Sequence, residues 1–186
     1  MTPYRLAMDV NDIEEMVLES IENYERYSEV LSLSGERPNL FYPKWDFFVG
    51  LLSSDNAYRR ALGAKVIANI VAVDSLGKFE LIFDKYFGLL EDKISVAGHI
   101  AICSVKIFMA KPHLEGRIME KLFAIEDSTH KHKGLLKSYV IEAFEAIFPQ
   151  SRYRSGIIGF VERALDSDSP KTRKMAKTFL KKHGPK

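Results

Sequence analysis

LLSSDNAYRRALGAKVIANI, residues 51–70, carries the pattern on which the fold turns. A leucine-rich segment ends at Leu52, a short polar turn holds Asp55, and a long apolar stretch follows. Between residues 57 and 73 only Arg59, Arg60, Lys65 and Asn69 are strongly polar. A helix so apolar must be covered on nearly every side, as an inner helix between neighbours is.

Working outward, the same arrangement returns. Leu52 and Asp55 recur as Leu89 and Asp92, a shift of 37, and again as Leu165 and Asp168, with a degraded copy at Ala124 and Asp127. Each Leu-x-x-Asp closes a short helix and opens a longer one. The pairs read KWDFFVGLL (44–52) with NAYRRALGAKVIANIVAV (56–73), and GKFELIFDKYFGLL (77–90) with KISVAGHIAICSVKIFMA (93–110). They continue as LEGRIMEKLFAI (114–125) with HKHKGLLKSYVIEAFEAIF (130–148), and RYRSGIIGFVERAL (152–165) with PKTRKMAKTFLKKHG (170–184). Breakers fall between pairs at Leu76-Gly77, Pro112, Pro149 and Gly184-Pro185. Two helices per period of roughly 35–41 residues predict a helical solenoid. In the last unit six Lys or Arg between 171 and 182 surround a thin apolar stripe, the composition of a terminal cap with a wet outer face.

Ahead of the repeats, Ile13, Met16, Val17, Ile21, Tyr24 and Leu31 fall near one face at helical spacing. With Asn11 and Glu14 placed as a capping box, this predicts one long helix over 11–33. A loop over 34–43, with Gly35, Pro38 and Pro43, separates it from the repeats at 44–184. The whole, 1–186, reads as a single domain.

Segments 51–70 and 164–180 resemble HEAT repeats, with a Leu-rich first helix, an Asp in the turn and an Arg early in the second helix. The resemblance implies an all-α, right-handed α-solenoid of about four HEAT-like (armadillo-type) helix pairs preceded by the long N-terminal helix. It also implies a structural ladder of Asp55 with Arg60 and Asp168 with Arg173. Asp92 has Ala97 where the Arg should stand, so the ladder is incomplete. From the family comes the concave face as binding surface, lined by second-helix residues Lys65, Asn69, His99, Lys106, Ser138, Glu142, Thr178 and Lys182. Such arrays serve many roles, so the resemblance speaks to fold more than to function.

Composition bounds the rest. With 46% hydrophobic and 28% charged residues the chain is globular. A single cysteine, Cys103, excludes an internal disulfide framework and fits a reducing compartment. The N-terminal residues reach acidic positions before a signal-peptide core could form, and ALGAKVIANIVAV is too short and too interrupted to span a bilayer. The expectation is a cytoplasmic protein with no membrane contact. The net charge of +2 conceals a gradient: residues 1–36 carry two basic and nine acidic side chains, and residues 131–186 carry thirteen and five. On a solenoid these regions would occupy opposite ends.

No catalytic constellation emerges. The His-Glu dipeptides by which HEAT-like deoxyhypusine hydroxylases hold iron are missing. Trp45 beside Asp46 is a thin basis for a DNA alkylation-repair site, and an apolar anchor explains it as well. His130 and His132, two apart on a helix, point away from each other and lie among lysines, which opposes a metal. His99 and Cys103 share a helix face but lack any signature of activation. No phosphate-binding loop or nucleophile elbow occurs, and Gly156-x-x-Gly159 reads as close helix packing. The expectation is therefore a non-catalytic protein-interaction or scaffold module without cofactor or metal. Its partner would be a protein with an acidic surface. The binding residues would be Lys65, Asn69, His99 and Lys106, with Lys133, Lys137, Lys171, Arg173, Lys174, Lys177 and Lys181 of the basic region. The competing reading is a nucleic-acid binder, alkylation-repair-like, using the basic C-terminal half with Tyr139 and Tyr153 nearby.

Overall fold

The structure, a computed structural model, describes residues 12–20 and 23–184, and every regular element among them is helical. The helix expected over 11–33 is two helices, α1 (Asp12–Glu19) and α2 (Tyr24–Glu36). Asn23 divides them. Its backbone is extended (φ −129°, ψ 110°), and its side chain accepts from the amides of Glu25 at 2.9 Å and Arg26 at 3.2 Å, which makes it the N-cap of α2. The box proposed at Asn11 lies outside the described residues.

The loop expected over 34–43 is also largely helical. After α2 ends at Glu36, Pro38 opens α3 (Pro38–Phe41), where its missing N–H costs nothing, and a 3-10 turn spans Tyr42–Lys44. Buried Phe41 holds this segment down.

The four pairs then appear close to their expected limits. They are α4 (Trp45–Leu51) with α5 (Ala57–Ile70), α6 (Lys78–Gly88) with α7 (Ile94–Ala110), α8 (Glu115–Phe123) with α9 (Lys133–Ile147), and α10 (Arg154–Arg163) with α11 (Pro170–His183). In the second and third pairs the recurring motif has a backbone cause. The first helix ends in a 3-10 turn, with the amide of Asp92 bonded to the carbonyl of Leu89 at 3.2 Å and that of Asp127 to Ala124 at 3.1 Å. Gly77, the breaker ahead of the second pair, has φ +67°, a conformation glycine adopts without a steric penalty.

The helices gather into two compact units, one running to Tyr86 and one beginning at Phe87. In the first, α5 packs against both α2 and α4. Trp45 is 1% exposed, and Phe41, Phe48, Leu62 and Ala64 are fully enclosed. Asn69 of α5 donates to the carbonyl of Leu31 at 3.1 Å and to the hydroxyl of Ser34 at 2.8 Å, both on α2. These partners stand 38 and 35 residues back, one repeat period. Helix α2 is thus tied to α5 at about the same interval in sequence.

In the second unit α9 packs between α7 and α11. Phe144 meets Phe160 edge-on at 5.3 Å between ring centres, and Phe123 joins them at 5.4 and 6.2 Å. Side chains tie each pair to the next across the same interval. Ser128 donates to Glu91 at 3.1 Å and Arg163 to Glu126 at 2.5 Å, each 37 residues apart. His130 bonds the Asp92 carbonyl and Thr172 the Gly134 carbonyl, both at 2.6 Å and 38 residues apart. Arg152 reaches Glu115 at 2.7 Å, and Lys182 reaches Glu145, both 37 residues away. The period read in the sequence recurs as a ladder of contacts.

Far-ultraviolet circular dichroism should show a spectrum dominated by helix. A strand content near the globular average of roughly 20–25% would contradict the fold.

Candidate interaction surface

The residues expected to line a binding face divide on inspection. Asn69 is a structural tie, as above. Lys65 is half-buried, its ammonium 5.3 Å from the ring centre of Tyr27. Ser138 is buried and donates back to the carbonyl of Leu135, and Lys182 pairs with Glu145. His99 and Cys103 of α7 are half-buried, whereas Lys106, Glu142 and Thr178 are exposed.

Five arginines, Arg60, Arg152, Arg154, Arg163 and Arg173, are bonded to other groups of the fold. Arg60 donates to the carbonyl of Ser54 at 2.6 Å, and Arg173 to those of Ser167 at 2.6 Å and Asp168 at 3.0 Å. The two residues expected to pair with turn aspartates each fasten their own inter-helix turn through its backbone. Arg152 holds Glu115, Arg163 holds Glu126, and Arg154 bonds the carbonyls of Phe148 and Pro149.

Two carboxylates answer these arginines, Glu115 for Arg152 and Glu126 for Arg163. Burial pushes the carboxyl of Glu126 up, but hydrogen bonds from Arg163 and Lys137 outweigh it and hold the group below the usual carboxylate range. Glu145 follows the same logic, with Lys182 and His183 as donors. His183 is itself enclosed between Phe148 and Phe179, at 4.5 and 4.8 Å.

The lysines of α11 differ. Lys174, Lys177 and Lys181 are exposed, and none of their ammonium groups has an interaction partner among the described residues. Their spacing of three and four keeps them on one helix face. At its head, Lys171 lies over the ring of Tyr139, 4.3 Å from its centre. Charge follows the division of the chain. Residues 87–186 carry eighteen Lys and Arg against eleven Asp and Glu, a net of +7, and residues 1–86 carry nine against fourteen, a net of −5.

Beside this face the start of α9 forms a second basic feature. Lys131, Lys133 and Lys137 border a cleft of about 310 Å³ that Ser167 and Asp168 close from the turn before α11. Sequence reasoning singled out the lysines of this cleft and missed its geometry. The available signal was that Gly134 and Asp168 stand 34 residues apart, close to one period. His130 at the rim has both ring nitrogens engaged. Its Nδ1 accepts from the amide of His132 at 2.9 Å, which places the proton on Nε2, donated to the carbonyl of Asp92.

Among the described residues no three or more His, Cys, Asp or Glu side chains are grouped to hold a metal, and no helix is long and apolar enough to cross a membrane. No family model, curated protein or solved structure matches the chain.

Proposed function

We propose that the chain is an α-solenoid of HEAT-like helix pairs that works as a non-catalytic interaction module, docking an acidic protein partner on the cationic face of α11. The observation that carries the reading is the row Lys174, Lys177 and Lys181, exposed and unpaired among the described residues. Along a helix rising about 1.5 Å per residue, the row extends about 10 Å. Contacts repeating at one period support the solenoid, since repeats that touch only their neighbours generate that interval.

The occupied arginines weigh against a sequence-reading nucleic-acid site. Bidentate recognition of guanine is the commonest base-specific contact, and an arginine already bonded within the fold is less free to make it. Free lysines are point charges, suited to an acidic surface and to a salt-dependent encounter.

The test is charge reversal of Lys174, Lys177 and Lys181 to Glu. The variant should keep its helix content and lose partner capture from native cell extract by about tenfold or more, a change of about 1.4 kcal/mol. The wild-type interaction should weaken as salt rises. Capture at wild-type strength across salt would leave α11 as a solubilising end. A gel shift with duplex or single-stranded nucleic acid that collapses with salt would favour the nucleic-acid reading.

A further inference from the structure

We propose that the cleft at the start of α9 binds the dianionic phosphoryl group of a phosphate monoester, and that the carboxylate of Asp168 occupies its place in the free protein.

The cations of the cleft are poorly compensated. Lys131 is exposed and has no partner among the described residues. The Lys133 ammonium is held at 3.1 Å by the carbonyl of Glu126, a neutral acceptor that orients the charge without cancelling it. Lys137 bonds the Glu126 carboxylate at 3.2 Å, but Arg163 shares that same carboxylate. Among the described residues Asp168 is the one acid that borders the cleft itself.

The position of Asp168 is informative. Its Oδ1 lies so close to Gly134, in the first turn of α9, that a Cβ on residue 134 would overlap it. The N-cap residue of α9, His132, makes no side-chain capping bond. The Lys133 amide is bonded to the His130 carbonyl at 2.9 Å, but a helix start also carries partial positive charge, and an anion there is stabilised. Asp168 therefore sits where an anion is favoured, with lysines around it.

Charge selects the ligand. A singly charged anion that displaced Asp168 would only exchange one negative charge for another. A phosphate monoester carries about −1.5 to −2 at neutral pH with three acceptor oxygens, so it gains on the carboxylate. A phosphodiester carries one charge and does not, which sets nucleic-acid backbone aside. The monoester could belong to a phosphorylated side chain or to a small phosphorylated molecule, and both present the same group. This inference stands on the cleft and is independent of the α11 face.

The experiment follows backbone amide NMR shifts of the full chain on titration with inorganic phosphate, with chloride holding ionic strength constant. Saturable shifts are expected at Lys131–Gly134 and at Ser167 and Asp168. Asp168→Asn removes the internal competitor and should tighten binding severalfold, whereas Asp166→Asn, exposed and outside the cleft, should change little. Joint replacement of Lys131 and Lys133 by Ala should weaken binding by about tenfold or more, the scale of charge-assisted contacts. The Lys174/Lys177/Lys181 reversal should still saturate with phosphate, which separates failure here from failure of the α11 reading. A phosphoserine peptide binding tighter than glycerol phosphate assigns the source to a protein, and equal affinity assigns it to a small molecule. The proposal is overturned by shifts that grow without saturating, by equal effects of the two Asp variants, or by indifference to the Lys pair. It also falls if an oligonucleotide lacking terminal phosphates moves the same amides at lower concentration.

Discussion

Ala64→Phe is expected to destabilise the protein by about 3 kcal/mol, at the upper end of what overpacking usually costs. Ala64 is fully buried, and its α5 neighbours Ala61 and Ala68 are 6% and 2% exposed. Small residues at this spacing let α5 lie close to the helices around it. At Gly63, one residue earlier, an added Cβ would come within 2.8 Å of the Leu51 Cβ and 2.9 Å of the Phe48 carbonyl oxygen. Neither is the free end of a flexible side chain, so the wall cannot yield by a rotamer change. The Ala64 carbonyl also accepts from the buried hydroxyl of Tyr86 at 3.0 Å, a bond that any displacement of α5 would stretch. Thermal melts should show a drop of roughly 6–12 °C at 2–4 °C per kcal/mol. An unchanged midpoint would mean that α5 is not a core helix.

Glu115→Ala is the second large effect, and it carries a pH signature. Glu115 is 3% exposed. Its Oε1 accepts from the Ser151 hydroxyl and the Arg152 amide, both at 2.8 Å, and its Oε2 from Arg152 Nε at 2.7 Å. Burial raises the carboxyl, but the donors from Arg152 and Ser151 outweigh it and leave the group below its ordinary range. The guanidinium of Arg152 can return to water when the acid is removed. The Ser151 hydroxyl is buried and cannot, so the loss should be about 1–3 kcal/mol at neutral pH. Because the folded carboxyl titrates below the unfolded one, near 4.3, the stabilisation is complete above that pH and fades as pH falls through the folded value. Denaturant unfolding of wild type and variant should differ at pH 7 and converge in acid. A gap that stayed constant down to pH 2 would show that the carboxylate's charge is not the cause.

Much of the helix-pair plan was legible in the residues. Leu-x-x-Asp and the glycine and proline breakers mark backbone events, a 3-10 turn and a positive φ, which are local and therefore written locally. The division at Asn23 was harder to read because Ile13, Met16, Val17 and Leu31 keep helical phase across it. A capping asparagine inside a polar run leaves the apolar pattern undisturbed, so periodicity misses it. The assignment of cations was less legible still. Arg152, Arg163 and Arg173 look alike in composition, and only the partner one period back, or the turn six residues back, shows that they are engaged. The lysines of α11 stay free because they lie on the face turned away from α9 and α10. The cleft joins residues from two pairs, and no window of sequence contains both of its walls.

The rungs between pairs also set how the chain answers to changes of length. In the second unit these rungs span 36 to 38 residues and close on the adjacent pair. Inserting one residue within α9 would rotate everything after it by about 100°, and the acceptors Gly134 and Glu145 would fall out of phase with one another. Removing or duplicating a whole period keeps that phase, although the side chains that form the rungs differ from pair to pair. The rungs themselves close loops of only about one such period, and short closures of that kind cost little and favour fast folding.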